Sequence, residues 1–178
     1  MEIETSKGVI FIEKLEVENL EKKVVSQKIN TLLKNKLQIG EIDIQHLETG
    51  QPFIKNIPQL NISISHSSQW ISIYISEDYA VGIDIEVRNE KLKIIINQFI
   101  NNREKLLFDT NDLEILHLIW GAKEAIYKYF AGEFIALENE VSIEKIDLEN
   151  HKINAKTVYG ECECTFEQID FGVYLVWV

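Results

Sequence analysis

The chain has 178 residues, 46% hydrophobic and 26% charged, enough for one large domain or two small lobes sharing a core. No apolar run approaches the roughly 20 residues needed to span a bilayer, and a net charge of −11 argues against nucleic acid, whose phosphates need a basic face. Residues 1–16 carry acidic side chains early and lack the apolar core of a secretory leader. The two cysteines, Cys162 and Cys164, sit too close along a strand to make a good disulfide, so a reduced cytoplasmic setting is expected.

Residues 8–17 open with a strand-like apolar run. Residues 22–39 place Val25, Ile29, Leu32, Leu33 and Leu37 at helical spacing. Five lysines in this stretch (Lys22, Lys23, Lys28, Lys34, Lys36), with no acid up to Gly40, suit either a solvated helix face or an anionic ligand. Short extended pieces broken by Gly40, Gly50 and Pro52 follow. Residues 61–65 and 70–76 alternate with period two and predict a strand pair joined through H-S-S-Q, which leaves His66 in the connection. A third strand is predicted over 81–87. Residues 91–108 show one helical stripe (Leu92, Ile95, Ile96, Phe99, Ile100), and a further helix over about 112–130, capped by Asn111 or Asp112, is apolar on several sides and expected to be buried. Residues 141–178 read as antiparallel strands. The order predicts an α+β protein with helices packed on antiparallel sheet, and a boundary near residue 80 divides it into lobes 1–80 and 81–178.

Asp84 and Glu86 lie two apart on a strand and project to one face, opposite Ile83, Ile85 and Val87. Adjacent carboxylates repel unless a cation or water separates them, and oxygen-only donors suit magnesium together with substrate phosphates. A D-x-E pair alone is equally a solvated strand face. Glu124 adds weight, because an unpaired carboxylate is costly on so apolar a helix. Lys128 follows it by one turn and His117 precedes it by two, giving a polar stripe that reads as a site lining or as a simple Glu–Lys pair.

Three motifs occur in order: S-I-S-H-S at 63–67, G-I-D-I-E at 82–86 and W-G-A-K-E-A-I-Y-K at 120–128, with G-Q-P-F at 50–53 upstream. Together they resemble the signature of the 4′-phosphopantetheinyl transferase superfamily. The match is specific over roughly residues 50–130. The resemblance implies a surfactin-type, holo-acyl-carrier-protein synthase-like enzyme of two similar α+β lobes (a pseudo-dimer), monomeric, with coenzyme A bound between the lobes. Such enzymes move the phosphopantetheine arm of coenzyme A onto a serine of an apo acyl or peptidyl carrier protein and release 3′,5′-ADP. By the same resemblance Asp84, Glu86 and Glu124 organise Mg2+, Ser65 and His66 bind coenzyme A, and Lys123 and Lys128 are the motif lysines. Glu104 matches a glutamate sometimes assigned as general base, with Glu124 and Lys128 the other catalytic candidates. Lys22, Lys23 and Lys28 are the candidates for a phosphate of coenzyme A. Gln51 stands where the family usually has lysine, and the family's arginines near the start of the chain are absent. A non-catalytic coenzyme A- or carrier-binding module and a metal-dependent phosphohydrolase remain the alternatives.

Overall fold

A computed structural model describes residues 1–16, 21–133 and 136–178. Strands β1 (Glu2–Glu4) and β2 (Val9–Lys14), helix α1 (Lys22–Leu37), the short paired strands β3 (Ile44–His46) and β4 (Pro52–Ile54), and strands β5 (Asn61–Ser67) and β6 (Trp70–Ser76) come first. They are followed by β7 (Ile83–Val87), α2 (Lys91–Ile95), a 3₁₀ turn (Ile96–Gln98), α3 (Glu104–Leu107), α4 (Leu113–Tyr129) and α5 (Leu137–Glu140). The chain closes on β8 (Val141–Asp147), β9 (Lys152–Thr157), β10 (Gly160–Asp170) and β11 (Val173–Trp177). The protein is α+β, as its periodicities predict.

The ladders form two larger antiparallel sheets, β1-β2-β6-β5 and β7-β11-β10-β9-β8. Alternation sorts the side chains of the first. Phe11, Ile71, Ile73 and Ile75 bury one face under Val25, Ile29 and Leu33 of α1. Ile10, Ile12 and Tyr74 on the other face meet Ile83, Ile85, Leu175 and Trp177 of the second sheet. The far face of the second sheet, with Tyr174, Val176 and Phe166, is covered by α4 through Leu116, Ile119, Ala122 and Ile126. The layers therefore run α1, first sheet, second sheet, α4.

Two strand edges meet at the centre. β5 ends the first sheet and β7 begins the second. Ser63, Ser65 and Ser67 share one face of β5, and the hydroxyls of Ser63 and Ser67 accept hydrogen bonds from the β7 amides of Ile83 (3.1 Å) and Val87 (3.2 Å). Edge amides that would otherwise be buried unpaired are thus satisfied by side chains. Helix α4 lies close on β7 because Gly82 has no side chain: a Cβ there would stand 2.0 Å from the Ala125 carbonyl oxygen and 2.8 Å from the Tyr129 nitrogen. Gly82→Ala is expected to cost at least about 2 kcal/mol through overpacking, read as a lower urea midpoint at unchanged slope. An unchanged midpoint would show that the helix can shift freely.

The structure departs from the sequence reading at two places and decides between two expected caps at a third. β5 continues through Ser67, so His66 is a strand residue, and only Ser68 and Gln69 make the turn, with Ser68 at φ 52°. Residues 91–108 are not one helix. After the 3₁₀ turn Phe99 takes φ −135°, and Asn101 and Glu104 then start a new turn by bonding each other's backbone amides at 2.8 Å. Asp112, rather than Asn111, caps α4, its carboxylate accepting from the Glu114 amide at 2.8 Å.

Candidate active site

Asp84 and Glu86 leave β7 on the face turned toward α4, where Trp120, Gly121, Glu124 and Lys128 follow one another at helical spacing. Asp84 is 3% exposed. Its Oδ1 accepts hydrogen bonds from Ser65 Oγ at 2.8 Å and Lys128 Nζ at 2.7 Å. Its Oδ2 is buried and has no hydrogen-bond partner among the described residues. The second glycine of the motifs explains the space beside it: a Cβ on Gly121 would come within 3.7 Å of that oxygen and 2.9 Å of Val176. Lys128 also donates to the Ile83 carbonyl at 3.0 Å, which fixes the ammonium against the edge of β7.

Glu86 accepts from Trp120 Nε1 and from Ser67 Oγ, each at 3.2 Å. Burial, and then the neighbouring Asp84 carboxylate, raises its pKa to about 7, against the pull of Trp120, Ser67 and Lys128. Burial and Asp84 likewise raise the pKa of Glu124, with Lys128 opposing. In each of these two carboxyls burial and a like charge disfavour the ionised form.

A raised carboxyl pKa means that the folded state holds the proton more tightly than the unfolded chain. The stability tied to Glu86 is complete below its ordinary value of 4.5 and is lost as pH rises through about 7. In chelator, the Tm difference between Glu86→Gln and the native protein should widen in favour of the variant from pH 5 to pH 8. A difference that stays constant across that range would contradict the electrostatics described here.

A groove of about 780 Å³ adjoins the carboxylates, between α1, the β3–β4 pair, β5 and the end of α4. That volume suits a substantial small molecule. Lys22, Asn30, Gln51, His66 and Lys128 are among its polar lining residues, with apolar walls from Val25, Ile29, Ile44, Ile62 and Pro52. Burial against the wall lowers the His66 pKa, as do the ammonium groups of Lys128 and Lys22, while Asp84 raises it. These cationic and polar groups converge with no acid among the lining residues, an arrangement suited to an anion.

The residues singled out in the sequence separate into two places. Asp84, Glu86, Glu124, Lys128, Ser65, His66 and Lys22 belong to the carboxylate cluster or the groove beside it. Lys23 and Lys28 are exposed on α1 and do not line the groove. Lys123 and Glu104 are 0% exposed and 2.9 Å apart. Lys123 also donates to the Phe99 carbonyl at 2.6 Å, while Glu104 accepts from the amides of Asn101 and Ile143, each at 2.8 Å. This pair ties α3, α4 and β8 together. His117 is buried too: its Nε2 accepts from the Asn89 amide at 3.2 Å, and its other nitrogen lies 2.6 Å from the Leu113 carbonyl. Burial lowers its pKa, so it serves as a neutral brace and not as part of the polar stripe. Ser65 is turned toward Asp84, and it is Ser63 and His66 that line the groove.

Ser67, Trp120, Gly121 and Asn30 were not singled out from the sequence. The S-x-S-x-S spacing carries a signal for Ser67, since period two puts all three hydroxyls on one face. Among the described residues, no group of three His, Cys, Asp or Glu side chains converges as a ready-made metal cage. No helix among them is long and apolar enough to cross a membrane.

The chemistry of the donors suits a divalent cation, because Asp84 Oδ2 is buried without a hydrogen-bond partner among the described residues and the nearby Asp84 charge disfavours ionisation of Glu86 and Glu124. No curated protein matches the chain. The family model described as the 4′-phosphopantetheinyl transferase superfamily matches residues 80–174, which include β7, α4 and most of the closing sheet. That match spans more than half of the chain and contains all three carboxylates, and the protein accordingly belongs to the 4′-phosphopantetheinyl transferase superfamily.

Proposed function

We propose that the protein transfers the 4′-phosphopantetheine arm of coenzyme A to a serine of an apo carrier protein, with Mg2+ held by Asp84, Glu86 and Glu124. The observation that carries this reading is the buried Asp84 Oδ2, without a hydrogen-bond partner among the described residues, beside a groove with Lys22, His66 and Lys128 on its walls. In the same reading the chain acts as a monomer of two lobes divided near residue 80, with coenzyme A lying along the groove between α1 and β5. Gln51, a groove residue where the family usually has lysine, then offers a neutral contact in place of a charged one.

The bound cation would supply neutralisation of the diphosphate charge, which lowers the barrier to attack at phosphorus. Lys128, held by Asp84 and the Ile83 carbonyl, stands where it can share that charge. Lys22 and His66 orient the phosphates farther along the groove. The acceptor serine oxygen forms the new bond to the phosphorus that bears the pantetheine arm. The bond from that phosphorus to the bridging oxygen breaks, and 3′,5′-ADP leaves. The serine proton passes to Glu124, a carboxylate of the cluster carried on α4. Glu104, enclosed by Lys123 and two backbone amides, supports the lobe that carries these groups.

Calorimetry with coenzyme A separates this reading from a non-catalytic binding module. Affinity should rise at least about tenfold when Mg2+ is added, because the two ligands share a site. Affinity independent of Mg2+ would favour the module.

A further inference from the structure

We propose that the protein does not select for the 3′-phosphate of coenzyme A, and that 3′-dephospho-coenzyme A, with a free ribose hydroxyl at that position, serves it as an equivalent arm donor. The inference rests on the transferase reading given above and adds to it which donors the groove accepts.

Fixed positive charge is scarce in the groove. Lys22 and Lys128 are the only lysines or arginines among the described residues that line it. Lys128 is engaged at the carboxylate end, by Asp84 at 2.7 Å and the Ile83 carbonyl at 3.0 Å. Lys22 is the first residue of α1 and is exposed. Lys23, Lys28, Lys34 and Lys36 of the same helix do not line the groove, and Lys36 is paired with Glu2 at 2.9 Å. The rest of the polar wall, including Asn30, Thr49, Gln51 and the imidazoles of His46 and His66, offers hydrogen bonds without a permanent charge.

A phosphate monoester carries a charge of about −1.5 to −2 near pH 7. Coenzyme A has one in addition to its diphosphate, and the dephospho form has the diphosphate alone. In this groove the extra anion finds one exposed lysine, and such a pair contributes at most about fivefold in affinity. The chain's net charge of −11 opposes even that gain, because it repels the more highly charged donor more strongly. Asn30 points the same way. Its Oδ1 is buried without a hydrogen-bond partner among the described residues. A hydroxyl or amino group satisfies such an acceptor, whereas a phosphate dianion brings only acceptors of its own.

Removing the 3′-phosphate leaves the reaction unaltered. The serine oxygen bonds to the phosphorus that bears the pantetheine arm, and the bond from that phosphorus to the bridging oxygen breaks. The serine proton passes to Glu124, and 5′-AMP leaves in place of 3′,5′-ADP. No atom at the 3′ position takes part, so the two donors differ only in how they are held.

The test measures kcat/KM for both donors with Mg2+ and an apo carrier that the native protein loads, following the carrier mass and the nucleotide released. The two values should agree within about tenfold, and calorimetry should give affinities for 5′-AMP and 3′,5′-ADP within the same factor. Gln51 is half-buried on the wall, so Gln51→Lys brings in a less screened cation and should shift the ratio toward coenzyme A at least about fivefold. Lys22→Gln should lower both values, by factors that differ no more than about fivefold. A native preference for coenzyme A above about tenfold, a ratio unmoved by Gln51→Lys, or a loss on Lys22→Gln confined to coenzyme A would each overturn the donor tolerance alone. Loading from neither donor would overturn it together with the transferase reading. Melting temperatures of both variants, expected to stay within a few degrees of native, show that the changes act on binding.

Discussion

Replacing Asp84 by asparagine should reduce transfer roughly a thousandfold while the protein stays folded. The substitution keeps the size of the side chain, so Gly121 and Val176 still accommodate it and Ser65 can still donate to the remaining oxygen. What disappears is the buried negative charge that holds Lys128 at 2.7 Å and leaves Oδ2 available for a cation. Lys128 retains the Ile83 carbonyl, so its placement is weakened and not lost. Two readouts separate loss of chemistry from loss of fold. The melting temperature without metal should stay near the native value, and the rise in melting temperature that Mg2+ gives the native protein should vanish. Transfer within tenfold of native would remove Asp84 from the centre of the site.

Replacing Lys123 by methionine is expected to be the most destabilising single change considered, at about 3–5 kcal/mol. Lys123 is wholly buried, and burial lowers its pKa against the opposing charge of Glu104. Methionine matches its length but leaves the Glu104 carboxylate enclosed without a counter-ion. Combining Lys123→Met with Glu104→Gln should recover part of the loss, since the uncompensated charge is gone, although one of the two backbone amides, each bonded to a different carboxylate oxygen, then faces the amide NH2. The pair also tests the general-base assignment of Glu104. A positioning role predicts that Glu104→Gln lowers the urea midpoint, while the folded enzyme keeps its pH–rate profile and a kcat within about tenfold of native. A base role predicts a collapse of kcat with stability unchanged, and that outcome would contradict the structure's placement of Glu104.

The elements that could be read from the sequence are those in which a single periodicity runs unbroken. Val25, Ile29 and Leu33 declare one face of α1, and the isoleucines of β5 and β6 alternate cleanly enough to fix both strands. Between 91 and 108 the apolar stripe carries on across a break, and the break depends on Asn101 and Glu104 bonding each other's backbone, which hydrophobic spacing does not register. H-S-S-Q has the composition of a turn, yet His66 is a strand residue. What extends the strand is cross-strand pairing with Ile71 and the contacts of Ser67 with β7, and both are long-range.

The same distinction holds at the site. Asp84, Glu86 and Glu124 could be singled out because each is a charge in an apolar setting. Their supports were less legible. Trp120 has the sequence pattern of one more core aromatic, and what sets it apart is its indole nitrogen, which donates to Glu86. Lys123 and Lys128, five residues apart on one helix, are alike as letters, but helical geometry turns one toward Glu104 and the other toward Asp84. The groove is invisible in the sequence because its walls come from α1, the β3–β4 pair, β5 and α4, elements far apart along the chain.

The most direct test of the central claim is mass spectrometry of a panel of apo carrier proteins incubated with the protein, coenzyme A and Mg2+. At least one carrier should gain one phosphopantetheine arm on its serine, with 3′,5′-ADP appearing in equal amount, and neither product should form with Asp84→Asn. A panel left entirely unmodified, under conditions where coenzyme A is shown by calorimetry to bind, would contradict the assignment of transferase activity to this site.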